Sequence, residues 1–232
     1  MTMKLVISIC LFLLGLALSP APAAPSDVLE TLNPAITDAI GEFGAIPEDR
    51  KRELEKIALF VRTKLQAGET PQITFICTHN SRRSHMAQIW AQTAAAYYGV
   101  TGVKTFSGGV EATACNERTV RALRKAGFSV ADSTGGKNPI YLVQYSEKEA
   151  PIRAFSKLYQ AEGNPHENYL AAMTCDQADV HCPIVQGASL RVGIHYTDPK
   201  EADGTDHEAA TYGERCRQIA REMFFLMSLV KA

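Results

Sequence analysis

From Leu54 to Leu65 apolar residues recur every three or four positions, with Ile57, Ala58 and Val61 between them. That spacing lines one face of a helix. Pro47, Glu48 and Asp49 suit its first turn and Gly68 its end. The pattern then changes: Gln72–Ile76 reads as a short buried strand. Ser84–Tyr98 returns to helical spacing, with Ala87, Trp90, Ala91, Ala94 and Tyr98 on one face and Gly99 as the stop. Val103–Phe106 is a second strand that runs into Gly108-Gly109. Glu117–Lys125 is a helix, with Asn116 placed to cap it and Gly127 to close it. Ile140–Tyr145 alternates like a strand and Ile152–Leu158 pairs back with it, while Leu170–Met173 is a fourth core strand. Residues 174–208 are loop-rich, with an extended piece at Leu190–His195. Cys216, Ile219, Ala220, Met223, Met227 and Val230 mark the apolar face of a C-terminal helix.

Strands alternating with helices predict an α/β fold, a doubly wound parallel sheet of about four strands with helices on both faces. Residues 26–46 are broken by Asn33-Pro34, Gly41 and Gly44, so residues 24–68 read as a helical N-terminal extension packed on a domain of residues 69–232. Ligands in such sheets sit beyond the carboxyl ends of the strands. Cys77, Gly108-Gly109 and Cys175 all follow strands and converge there.

The N-terminus changes the picture. Lys4 precedes an apolar run, "LVISICLFLLGLALS", and then "PAPAAPSD", with Ala21 and Ala23 in A-x-A spacing. A basic start, an apolar run and small residues read as a secretory signal over residues 1–23, cleaved after Ala23. The run of about 15 residues is short of a bilayer span, which argues against stable membrane insertion after cleavage. The chain is then exported to the periplasm; it is cytoplasmic if this segment is not a functional signal.

Composition is that of an ordinary soluble protein, with 46% hydrophobic and 21% charged residues in 232. A net charge of −1 and the lack of a basic stripe give no reason to expect nucleic acid. Five cysteines remain after Ala23: Cys77, Cys115, Cys175, Cys182 and Cys216. An odd number in an exported chain points to a functional thiol rather than a pure disulfide framework. No Cys/His spacing matches a zinc site, so no metal and no bound cofactor are expected.

The stretch "ITFICTHNSRRSH" puts Cys77 at the end of a strand and Arg83 at the start of a helix, six positions on. Backbone N–H groups at a helix N-terminus attract an anion, and the same field favours a thiolate. A planar guanidinium suits two oxygens of a tetrahedral oxyanion. Ser84 can donate a hydrogen bond to the sulfur. Residues Thr78, His79, Asn80, Ser81, Arg82, Arg83 and Ser84 thus form a cradle for a phosphate-like ion over a nucleophile.

Cys77, five residues, Arg83 and Ser84, with Asn80 mid-loop and a late Asp198-Pro199, resemble the low-molecular-weight protein tyrosine phosphatase superfamily, which includes thioredoxin-coupled arsenate reductases. The resemblance spans about residues 70–230. It implies Cys77 as nucleophile, Arg83 as oxyanion ligand and Asp198 as general acid; without the loop, Asp198 would read as a plain turn residue. Asn80 would shape the loop and Ser84 orient the thiolate. His79 stands where the family usually has glycine, and Arg82 reads as a rim charge rather than a ligand. Cys115 reads as a small packed residue near the same rim, and Cys216 as core.

The stretch "TCDQADVHCP" adds Cys175 just past a strand and Cys182 seven positions later. Resemblance to the arsenate reductases implies that Cys77 takes arsenate, Cys175 attacks Cys77 and Cys182 attacks Cys175, with a thioredoxin-like protein as electron donor. Alternatively the two thiols form a structural disulfide. The second functional reading is a phosphatase acting on phosphotyrosine or small phosphoesters. Lys200, Glu201 and Ala202, where such phosphatases place aromatics, weaken it. A binding-only oxyanion protein would have no use for Asp198 as an acid.

Overall fold

A computed structural model describes residues 27–132, 134–181 and 184–231; the signal-like residues 1–23 and Cys182 lie outside them. In chain order the elements begin with α1 (Asn33–Gly41), α2 (Glu48–Gln66), β1 (Gln72–Cys77), α3 (Arg83–Tyr98), β2 (Lys104–Gly109) and α4 (Glu117–Ala126). They continue with β3 (Ser129–Asp132), β4 (Tyr141–Gln144), β5 (Ile152–Ala154), β6 (Tyr169–Met173), α5 (Asp176–His181), β7 (Ala188–Gly193) and α6 (Glu208–Lys231). Local signals set several boundaries. The Asn116 side chain accepts from Arg118 N–H at 2.9 Å and starts α4. Gly99, at φ 67°, ends α3 in the left-handed conformation that glycine adopts without strain.

β2, β1, β6 and β7 form one parallel sheet in that order, with β1 and β6 at its centre. Alternate residues of the central strands serve opposite faces. Ile73, Phe75, Leu170 and Ala172 join a large cluster with Leu32, Leu54 and Ile57, Trp90 of α3 and Met223 of α6. Ile76, Tyr169, Ala171 and Met173 face the other way and pack with Cys175, Ala178 and Val185 around α5. Helices therefore cover both faces, unequally. α3 is buried almost all round because it lies between the sheet and α6. The residues of α1 and α2 share the large cluster with the sheet, so no break in packing separates them from the residues after 68.

Ile140–Tyr145, read as a strand with Ile152–Leu158 pairing back, forms β4, and β5 does pair with it, but neither strand belongs to the parallel sheet. β4 pairs antiparallel with β3 and β5 in a separate three-stranded sheet. Only residues 133–140 connect β3 to β4, too few for the crossover that a parallel neighbour needs. The fourth parallel strand is β7, which overlaps the extended piece read at Leu190–His195 within the loop-rich stretch, and α5 lies in the crossover that leads to it. No helix among the described residues is long and apolar enough to cross a membrane.

Candidate active site

The loop from Cys77 to Arg83 joins the central strand β1 to the buried N-terminus of α3, so both ends of the cradle are anchored in the core. Cys77 Sγ lies 3.1 Å from Ser84 Oγ. Asn80 Nδ2 donates to that same Oγ at 2.9 Å, which leaves the Ser84 hydroxyl proton free to point at the sulfur. Asn80 takes φ 44°, in the left-handed region that asparagine tolerates better than most residues. Its Oδ1 accepts from Lys157 N–H at 3.0 Å, so the turn is held from outside the loop as well.

Other backbone groups brace the loop. Glu111 N–H donates to the Thr78 carbonyl at 2.9 Å and Asn116 N–H to the Ser81 carbonyl at 3.0 Å. This contact leaves no space at Gly109: a Cβ there would sit 2.4 Å from the Glu111 carbonyl oxygen and 2.8 Å from Asn80 N and the Thr78 oxygen. Gly108-Gly109 is thus a close-approach element. His79, at the position where glycine was expected, does not need a positive φ; the bend falls on Asn80. The Ser156 hydroxyl donates to the His79 carbonyl at 2.7 Å, and the imidazole lies 3.4 Å from Glu111 at the surface.

Arg83 is buried and both arms of its fork are engaged. Nη1 donates to the Tyr196 carbonyl at 2.9 Å and Nη2 to Asp198 Oδ2 at 2.7 Å. Asp198 Oδ1 accepts from Lys200 N–H at 3.1 Å, which turns the carboxylate toward the loop. Arg82 is not a rim charge. It lies against α6, with Nε donating to the Tyr212 hydroxyl at 2.6 Å and Nη2 to Asp203 at 3.2 Å.

Cys175 is buried at the end of β6, and its sulfur lies 3.4 Å from the hydroxyl of Thr78, the residue after Cys77. Ala178 N–H, in the first turn of α5, donates to the same sulfur at 3.4 Å. A cleft of about 440 Å³ opens between these elements, lined by Arg83, Cys175, Asp176, His195, Asp198 and Glu201. Cys77, Asn80, Arg83, Ser84, Asp198 and Cys175 are thereby brought to one sheet rim. Cys182 falls outside the described residues.

The other thiols differ. Cys115 is buried and burial pushes its thiol up to about 12, against the opposing charge of Lys157. Cys216, bonded by Trp90 Nε1–H at 3.2 Å in the core, is pushed up to about 11 by burial. Neither is a thiolate near neutral pH. Behind the loop, His85 is fully buried with Nδ1 at 3.2 Å from Ser107 Oγ. Desolvation first, and the Lys157 charge second, bring its pKa down to about 3, so it is neutral. Lys157 itself is brought down to about 8 by burial.

Several contributors carried no sequence signal as site residues. Tyr196 acts through its carbonyl, which any residue owns. Gly109 was visible only as one of two turn glycines. His195 bridges Asp176 at 2.7 Å and Asp179 at 2.9 Å, tying α5 to the segment after β7.

A model of the low molecular weight phosphotyrosine protein phosphatases matches residues 72–137. An arsenate reductase of Halalkalibacterium halodurans is 28% identical over 145 residues, which is 62% of this chain and 86% of the relative. An arsenate reductase of Bacillus subtilis is 27% identical over 149 residues, 64% of this chain and 88% of the relative. A solved structure of a YwlE mutant from Bacillus subtilis covers 70% of this chain and 99% of its own at 16% identity and a TM-score of 0.45. Given the loop that follows β1, the parallel sheet that carries it and these curated relatives, the chain is a cysteine-based enzyme similar to the low-molecular-weight phosphotyrosine phosphatases and, among them, to arsenate reductases.

Proposed function

We propose that the protein is a thiol-dependent arsenate reductase. The observation that carries this reading is the second sulfur at the loop: Cys175 Sγ, 3.4 Å from the hydroxyl of the residue that follows Cys77. Hydrolysis of a phosphoester has no use for it. A relay of thiols does.

In this reading Cys77, as thiolate, attacks arsenic(V), and an oxygen leaves as water with a proton from Asp198. Arg83 and the loop N–H groups hold the remaining oxygens. The Cys175 thiolate then attacks Cys77 Sγ. The S–S bond forms, the S–As bond breaks, and its electron pair stays on arsenic, which leaves as arsenite, arsenic(III). The Cys182 thiolate next attacks Cys175 Sγ and frees Cys77 as thiolate. A disulfide holds its Cα atoms within about 7 Å, whereas a six-residue helix such as α5 advances ~9 Å, so α5 unwinds in this step. A thioredoxin-like dithiol protein in the enzyme's own compartment then reduces the Cys175–Cys182 bond. The enzyme is exported if residues 1–23 act as a signal.

A second reading, phosphatase action on phosphotyrosine or small phosphoesters, draws on Asp198. Its carboxyl lines the cleft beside Arg83. Once an oxyanion takes the Arg83 fork, the carboxyl is released from that pairing and can carry the proton that an ester's leaving oxygen needs.

The two are separated by giving arsenate with a thioredoxin system, and p-nitrophenyl phosphate in parallel, to wild type, Cys175→Ser, Cys182→Ser and Cys77→Ser. Arsenite production that disappears in all three variants, with ester hydrolysis lost only in Cys77→Ser, supports the reductase. Arsenite production untouched by the Cys175 and Cys182 changes would end the relay.

A further inference from the structure

Helix α2 lies outside the strands and loops of the cradle, yet it sends one side chain to the back of the site. Arg50 Nη1 donates to Glu222 Oε2 at 3.1 Å, Nη2 donates to the His195 carbonyl, and the guanidinium lies over the Tyr196 ring at 5.1 Å from its centroid. Glu222, on α6, is 1% exposed and accepts a second bond from the Tyr196 hydroxyl at 2.8 Å. Arg50 thus grips two consecutive residues, His195 and Tyr196, by backbone, ring and shared carboxylate. The next link is direct, because the Tyr196 carbonyl accepts from Arg83 at 2.9 Å and Asp198 takes the other arm.

This arrangement needs an arginine. Removing its partner would leave Glu222 as a buried carboxylate with no cation in contact, a costly state. A planar fork can serve a carboxylate and a carbonyl while its face covers a ring, whereas an ammonium is a point charge on a flexible stem. Backbone bonds anchor the His195–Asp198 segment only as far as Tyr196, whose N–H donates to the Thr174 carbonyl at 3.1 Å. The Arg50 contacts add a hold on the His195 carbonyl and the Tyr196 ring, and the direction of the segment sets where the Arg83 fork points.

We propose that Arg50 is a positioning residue for Arg83: the N-terminal helical extension fixes the His195–Asp198 segment and thereby the guanidinium that receives the oxyanion. The inference rests on the reading of Arg83 as the oxyanion ligand. It gives residues 24–68 a part in substrate binding.

The test uses the whole chain and inorganic phosphate as the probe. Phosphate seated in the loop shields Cys77 from iodoacetamide, and the half-protecting concentration is read by mass spectrometry of the Cys77 peptide. Wild type is compared with Arg50→Met, Arg50→Lys and Arg221→Met. Arg221 Nη1 donates to Glu42 at 2.9 Å, so its loss also loosens the extension without touching His195 or Tyr196. The half-protecting concentration rises by about tenfold in Arg50→Met, the scale of one good charge-assisted contact misaligned. It rises by less in Arg50→Lys, and stays at the wild-type value in Arg221→Met although that variant melts earlier. A wild-type value in Arg50→Met, or an equal rise in Arg50→Met and Arg221→Met, overturns the proposal. If Arg50→Met does not fold, Arg50→Lys decides: no rise in it is equally fatal. Phosphate that fails to shield Cys77 in wild type would remove the oxyanion-loop reading itself, and the positioning role with it.

Discussion

Arg83 and Asp198 hold one another, Nη2 to Oδ2 at 2.7 Å, across 115 residues of chain. An oxyanion that enters the loop therefore competes with a carboxylate for the same guanidinium. Asp198→Ala should tighten inorganic phosphate binding by a few-fold, as one competing charge and its repulsion go. The same change should slow p-nitrophenyl phosphate turnover by about a hundredfold or more through loss of the acid. Affinity from Cys77 protection and kcat from steady-state kinetics check both. Weaker phosphate binding in the variant would mean that Asp198 orients Arg83 rather than competing for the anion.

Asn80 combines two hydrogen bonds with a left-handed backbone, at φ 44°. Asn80→Ala loses the bonds and strains the turn, whereas Asn80→Gly loses only the bonds. Urea unfolding should place the alanine variant about 1 kcal/mol below the glycine variant, the cost of a side chain in that region. Both should be impaired in phosphate binding. Equal stabilities would show that the loop relaxes to another φ.

Gly109→Ala puts a methyl group into three backbone atoms of the loop and strand end, none of which can swing aside. Loss of Cys77 protection by phosphate, with a lowered melting temperature, is the expected result. Gly135→Ala is the control, since nothing lies within 4 Å of its Cβ position. A Gly109→Ala protein that binds phosphate like wild type would mean that the loop contact is dispensable.

His85 is neutral in the fold, at about 3 against 6.5 when free. Its contribution is complete above pH 6.5 and is lost as the pH falls toward 3, because the unfolded chain takes up the proton first. The slope of unfolding free energy against pH between 6.5 and 4 should be shallower in His85→Asn, by up to one proton, or about 1.4 kcal/mol per pH unit. Lys157, at about 8, stays charged throughout that window. Parallel slopes for the two proteins would show that His85 is protonated in the fold or exposed.

Much of the site was legible before the fold. Cys77, Arg83 and Ser84 announce themselves because a turn from strand to helix within a few residues is a local event, and its chemistry travels with its spacing. Helices α3 and α4 were likewise readable from their caps and periods. The strand at Tyr141–Gln144 and its partner at Ile152–Ala154 were readable too, but alternation says strand without saying which sheet; connection length decided that. Arg82 was misplaced for a related reason. Whether a cation points to solvent or to Tyr212 and Asp203 depends on α6, more than a hundred residues away.

Short-range order along the chain is enough to place a thiol, a guanidinium and a hydroxyl around a helix N-terminus, because sterics and capping act over a handful of residues. It cannot say what stands behind them. The Tyr196 carbonyl on Arg83, the Arg50 grip on Tyr196, and Cys175 beside Thr78 arise only when the sheet and α6 bring distant segments into contact. Hydrogen bonds and ion pairs act at contact distance, and for these pairs contact is set by packing across the core, not by position in the chain.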